Sequence, residues 1–254
     1  VTEENWVIDL DGVIWLLNDP IPGSIEAVAQ LVRAGITVTF ATNNSTLTKE
    51  QYSQKLERLG IDIQATNLVT SAMAAASMVA PGSRAYVVGA FGINDALANR
   101  GVEVVDDDDV DVVVVGLDRE ISYDKLSRAG NAIRNGATFI ATNTDATFPI
   151  TGGLLPGAGS MVAAVATVGG KAPLVAGKPS APMAKLIRDL VGQPTLMVGD
   201  RFETDGAFAN ELACGFGLVL SGVSKGVPDG APKPAYIAAN FSELVNEAIA
   251  GRGR

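Results

Sequence analysis

Val110-Asp111-Val112-Val113-Val114-Val115-Gly116 decides the reading of the fold. Four consecutive valines show no polar alternation, and a strand without that alternation is one buried on both faces. Short runs rich in Val and Ile recur around it at Trp6 to Ile8, Ile36 to Ala41, Ala85 to Gly89, Thr138 to Ala141, Thr195 to Val198 and Gly217 to Leu220. Amphipathic segments lie between them. Strands alternating with helices predict right-handed βαβ units and mostly parallel sheets, an α/β protein. Thr48 with Gln51 has capping-box spacing and opens a helix that holds Leu56 and Leu59 and stops at Gly60. Ser180 and Pro182 mark another helix start. Met183, Leu186, Ile187 and Leu190 follow at helical spacing, which predicts that these apolar positions pack in the core.

The 254 residues leave room for one large domain or two, and 47% hydrophobic against 19% charged residues is a globular composition. Breaks at Pro81-Gly82 and Gly169-Gly170 suggest a domain inserted in the middle of another. Nineteen basic against 28 acidic residues give a net charge of −9, which phosphate backbones and anionic lipid heads would repel. Nucleic-acid and membrane partners are therefore not expected. The chain has no histidine, which excludes Ser-His-Asp triads, His-metal sites and histidine general bases. Cys214 is the single cysteine, so no internal disulfide or cysteine zinc cluster can form; it reads as a buried small hydrophobe. The run Asp106 to Asp109 reads as a solvated loop ahead of the valine strand. Val1-Thr2-Glu3-Glu4 lacks the pattern of a signal peptide, and prolines and glycines interrupt the uncharged stretch between Asp145 and Lys171. The expected location is cytoplasmic.

Ligands of an open parallel sheet collect outside the carboxyl ends of its strands. Four groups of polar residues follow apolar runs in this way: Asp9-Leu10-Asp11-Gly12, Thr42-Asn43-Asn44-Ser45, Gly177-Lys178-Pro179, and Gly199-Asp200-Arg201 with Asp205 soon after. Carboxylates at two strand ends repel unless a cation sits between them, and an all-oxygen site of that kind suits Mg²⁺. Asp9 and Asp11, two residues apart on an extended segment, project to the same side. A phosphoryl group needs an in-line nucleophile, which Asp9 can supply, and a proton donor for the leaving oxygen, which Asp11 can supply. Thr42 and the amides beyond it offer donors to phosphoryl oxygens, while Lys178 offsets the gathered negative charge. Dinucleotide-binding and P-loop patterns are not met: Gly215-Phe216-Gly217 lacks the third glycine, and Lys171 and Lys178 are followed by Ala and Pro.

In this order, the four groups resemble the motifs of the haloacid dehalogenase superfamily of phosphohydrolases over nearly the whole chain. Ile8-Asp9-Leu10-Asp11-Gly12-Val13 looks like the first motif, Ala41-Thr42-Asn43-Asn44-Ser45 the second, Gly177-Lys178-Pro179 the third and Val198-Gly199-Asp200-Arg201-Phe202-Glu203-Thr204-Asp205 the fourth. The resemblance is closest to the NagD-like, 4-nitrophenylphosphatase-like subfamily, in which a large α/β cap lies between the second and third motifs. Here 135 residues separate Thr42 from Lys178. Ala141-Thr142-Asn143-Thr144-Asp145, with Phe148-Pro149 and Pro156-Gly157-Ala158-Gly159 after it, looks like the subfamily's return from cap to core.

The resemblance implies a Rossmann-like parallel-sheet core domain, residues 1–78 and 174–254, with a large α/β cap domain inserted at 79–173. It implies that Asp9 forms an aspartyl-phosphate, that Asp11 acts as acid and then as base for water, and that Thr42 and Lys178 hold the phosphoryl group. Mg²⁺ would bind Asp9, the Asp11 carbonyl and Asp200, with Asp205 close by. Asn43 would add a substrate-phosphate contact. Asn143 and Asp145 are expected to help line the cap side of the cleft, the competing reading being a turn with Asx hydrogen bonds. The stretch Gly206 to Glu211 is less glycine-rich than expected after the fourth motif, and Thr144 stands where many relatives have proline. The expected activity is Mg²⁺-dependent hydrolysis of a small phosphate monoester, such as a sugar phosphate, nucleotide or glycerol phosphate. Transfer of the same phosphoryl group to a sugar, as in mutases, and a non-hydrolytic phospho-receiver module are the alternatives. Relatives with caps of this size often dimerise, which leaves a homodimer open.

Overall fold

The computed structural model describes residues 4–17, 19–150 and 153–251. The chain divides into two compact units, one of Val1–Thr42, Ser53–Val69 and Ala184–Arg254, the other of Asn43–Tyr52 and Thr70–Met183. The first contains a six-stranded sheet in the order Tyr236–Ala238, Gly215–Val219, Leu196–Gly199, Asn5–Ile8, Thr37–Thr42, Thr66–Thr70. Asn5–Ile8 is parallel to both neighbours, with Ile8 opposite Val198 on one side and Phe40 on the other. Parallel register brings the carboxyl ends of these three strands to one edge. Val7, Ile8, Val38, Phe40, Met197 and Val198 are fully buried, which accounts for the unbroken apolar runs there.

The second unit is built on a five-stranded sheet in the order Leu174–Val175, Thr138–Ala141, Val112–Val115, Arg84–Val88, Glu103–Val104, every pair parallel. The valine run occupies the centre and all four of its residues are buried. Val113, Val115 and Phe139 pack with Ala129 and Ile133 of the helix Tyr123–Arg134 and with Val162 and Val165 of the helix Ala158–Gly169. Thr147–Ile150 and Gly153–Pro156 form a separate antiparallel pair. The edge strand Leu174–Val175 lies just past the expected insertion limit at residue 173.

All seven expected strands form, with ends displaced by at most two residues. Both capping-box bonds are made: the Gln51 amide donates to Thr48 Oγ1 at 3.1 Å and the Thr48 amide to Gln51 Oε1 at 2.9 Å, opening the helix Lys49–Arg58. In the helix Ala181–Val191, Met183 and Ile187 are fully buried, but Leu190 is 51% exposed, which corrects the expectation that it packs in the core. Periodicity sets the direction in which a side chain points; it does not set whether another element covers it, and about half of this one stays in solvent. The acidic run is on the surface, where Arg84 pairs with Asp107 and Arg128 with Asp106, each at 3.1 Å. The Asp109 amide, and after it Arg84, hold the Asp107 carboxyl below its ordinary range. Cys214 is half-buried, and that burial pushes its thiol up to about 11. Among the described residues no helix is long and apolar enough to cross a membrane.

Candidate active site

Asp9 is the first residue past Asn5–Ile8, and its amide continues the ladder by donating to the Val198 carbonyl at 2.9 Å. Its Oδ1 accepts the Leu10 amide at 2.8 Å. Asp200 is the first residue past Leu196–Gly199, on the neighbouring strand, and its Oδ2 accepts the Val223 amide at 2.7 Å. Asp205 lies in a π-helical turn, Phe202–Gly206, with Oδ2 accepting the Arg201 amide at 3.1 Å. The turn sets this carboxylate against the strand end, where a Cβ on Gly199 would lie 2.2 Å from Asp205 Oδ2; such π-turns are frequent at functional sites. Asp9, Asp200 and Asp205 each offer an oxygen within 4.8 Å of the others. Their exposures are 8, 3 and 0%.

Three carboxylates this close and this dry repel strongly unless a cation neutralises them. Oxygen donors alone, with backbone amides holding the carboxylates in place, fit a hard divalent ion of the Mg²⁺ type. Thr42 ends Thr37–Thr42 at the same sheet edge and is buried. Asp11, in contrast, is exposed, and its Oδ1 accepts the indole N–H of Trp15 at 2.9 Å. Lys55 places its Nζ 3.9 Å from the Trp15 ring centre and donates to the Leu17 carbonyl at 3.1 Å. Burial lowers the Lys55 pKa, and the negative charge of Asp11 opposes that shift.

The approach of Asp200 requires glycine opposite it. Gly12 has φ +86°, and a Cβ there would lie 2.5 Å from Asp200 Oδ2. A Cβ on Gly222 would collide with the same oxygen. Ser221 closes the turn by donating to the Gly12 carbonyl at 2.7 Å. The pattern reading missed Ser221, Gly222, Val223 and Trp15. The first three follow the strand Gly215–Val219, so inspecting the carboxyl end of that run would have found them.

In the second unit, Asn43, Asn143, Asp145 and Lys178 form one hydrogen-bonded group. Asn143 Nδ2 donates to the Asn43 carbonyl at 2.7 Å, and Asn143 Oδ1 accepts the Asp145 backbone amide at 3.0 Å, an Asx turn. Asn43 bonds the backbone of Lys178 and, through Nδ2 at 3.2 Å, the carboxylate of Asp145. Lys178 is only 3% exposed.

A parallel α/β sheet whose carboxyl edge gathers buried carboxylates is built for cation-assisted chemistry on an anionic ligand. The model of the haloacid dehalogenase-like hydrolases matches residues 6–103, and a second model of HAD-like hydrolases matches residues 175–244. An acid sugar phosphatase of Staphylococcus aureus is 37% identical, with 96% of each chain covered. Among solved structures, a p-nitrophenyl phosphatase from Archaeoglobus fulgidus is 29% identical with a TM-score of 0.88, covering 96% of this chain and 99% of that one. A glycerol phosphate phosphatase from Mycobacterium tuberculosis, solved in complex with magnesium, is 33% identical with a TM-score of 0.86, covering 95% of this chain and 77% of that one. The chain belongs to the haloacid dehalogenase-like hydrolase family, among its NagD and 4-nitrophenylphosphatase-type members.

Proposed function

We propose that the protein is a Mg²⁺-dependent phosphatase that hydrolyses a small phosphate monoester through an aspartyl-phosphate on Asp9. The observation that carries this reading is the buried cluster of Asp9, Asp200 and Asp205 at the sheet edge, with Asp11 two residues beyond Asp9. Asp9 attacks phosphorus in line; the bond from phosphorus to the ester oxygen breaks, and Asp11 delivers a proton to the departing alcohol. Water then attacks the phosphorus of the aspartyl-phosphate and gives its proton to Asp11, releasing inorganic phosphate and free Asp9. Thr42 donates to a phosphoryl oxygen and Lys178 offsets the charge that builds on the transferring group. Asp9, Asp200 and the Asp11 carbonyl, with Asp205 beside them, would hold Mg²⁺, which would supply charge neutralisation when bound.

The division into a core, 1–78 and 174–254, and a specificity cap, 79–173, belongs to the same proposal, with Asn143 and Asp145 on the substrate side. Relatives named for sugar, glycerol and nitrophenyl phosphates support a small ester as the substrate. The test is phosphate release from a panel of such esters, with Mg²⁺ and with EDTA, using Asp9→Asn as the blank. Release that needs Mg²⁺ and vanishes in the variant is expected. Turnover by Asp9→Asn near the wild-type rate would overturn the mechanism.

A further inference from the structure

Asn43 directly follows Thr42, and its side chain grips a residue 135 positions away. Oδ1 accepts the Lys178 amide at 2.8 Å while Nδ2 donates to the Lys178 carbonyl at 3.0 Å, so one primary amide pairs with both polar groups of one residue. The second N–H of Nδ2 goes to Asp145 Oδ2 at 3.2 Å. A primary amide has two donors, and both are committed. The grip is braced from behind: the Asn43 carbonyl accepts Ser71 Oγ at 2.6 Å and Asn143 Nδ2 at 2.7 Å. Gly177 lets the strap lie close, since a Cβ there would stand 2.5 Å from Asn43 Oδ1.

We infer that Asn43 is a positioning residue for Lys178. It holds the Lys178 peptide so that the ammonium meets the phosphoryl oxygens at a fixed place, and Asp145 orients the Asn43 amide. A long, flexible lysine stabilises developing charge only if its backbone does not drift, because such stabilisation depends on preorganisation. This assignment rests on the reading of Lys178 as the phosphoryl-binding lysine. It leaves the direct phosphate contact expected of Asn43 to its backbone amide, since both N–H groups of the side chain are already spent.

The test is a double-mutant cycle on kcat/KM for 4-nitrophenyl phosphate. Asn43→Ala alone is expected to lower kcat/KM about 30-fold, mainly through kcat, and to cost less than about 3-fold once Lys178 is already Met. An undiminished cost in the Lys178→Met background would mean that Asn43 acts on substrate directly, and would overturn the inference. Asn43→Asp keeps the acceptor for the Lys178 amide but sets a second carboxylate against Asp145. Adding Asp145→Asn to it is expected to recover at least about 5-fold of the loss; no recovery would count against the role given to Asp145.

Hydrogen exchange at the Lys178 amide supplies a readout that needs no turnover. Asn43→Ala should speed it by about 10-fold or more, as expected when a local hydrogen bond is lost; an unchanged rate would overturn the clamp. A wild-type protein that releases no phosphate would overturn the phosphatase reading instead, and the exchange result would then decide the clamp alone.

Discussion

Replacing Gly12 with alanine separates the geometry of the carboxylate cluster from its chemistry. No charged group is replaced, yet two costs arise. The backbone stands at φ +86°, where a Cβ costs roughly 1–2 kcal/mol. That Cβ would also lie 2.5 Å from Oδ2 and 2.6 Å from Cγ of Asp200, a carboxylate pinned by the Val223 amide at 2.7 Å. Relief of such overpacking typically costs about 1–3 kcal/mol. Together these put the destabilisation at about 2–5 kcal/mol, or a fall in Tm of about 5–15 °C for a chain of this size. Because Asp200 has to move, the Mg²⁺ concentration for half-maximal phosphate release should rise about 10-fold or more. The assays are thermal unfolding by circular dichroism and a Mg²⁺ titration of ester hydrolysis. A variant with unchanged Tm and an unchanged Mg²⁺ requirement would refute the claim that Gly12 exists to admit Asp200.

Asp205→Asn removes one of three mutually repelling carboxylates, so the metal-free protein should melt higher while the half-saturating Mg²⁺ concentration rises about 10–100-fold; thermal scans with and without Mg²⁺ check both signs. Thr48→Ala deletes the Oγ1 acceptor of the Gln51 amide and should cost about 1 kcal/mol in urea unfolding without altering the Mg²⁺ requirement. The Cys214 thiol, raised by burial from 9.0 to about 11, should react with iodoacetamide at pH 8 about 100-fold more slowly than an exposed cysteine. The folded state binds this proton more tightly than the unfolded chain does. Its contribution to stability is therefore complete below pH 9.0 and is lost as pH rises toward about 11, which unfolding across that window will register.

Local patterns carried much of the architecture. The valine run, the alternation of apolar runs with amphipathic segments and the Thr48/Gln51 cap each depend on residues a few positions apart, and each appears in the structure as expected. Among the strands that escaped prediction, Thr66–Thr70 opens with Thr and Asn, and Tyr236–Ala238, Glu103–Val104 and Leu174–Val175 are too short to carry a pattern. Asp9, Asp11, Thr42, Lys178 and Asp200 stood out in the chain because polar residues that end apolar runs fall at the carboxyl ends of strands.

Tertiary packing supplied the distances. Strands 190 residues apart in the chain pair as Trp6 with Leu196, and that pairing brings Asp200 beside Asp9. The π-helical turn then carries Asp205 into the same 4.8 Å cluster. The Val223 amide on Asp200 and the side-chain amide of Asn43 around Lys178 are likewise contacts between segments apart in the chain. Periodicity records which way a side chain faces relative to its own element. Which group it meets there depends on sheet order and loop closure, to which no short stretch of chain is sensitive.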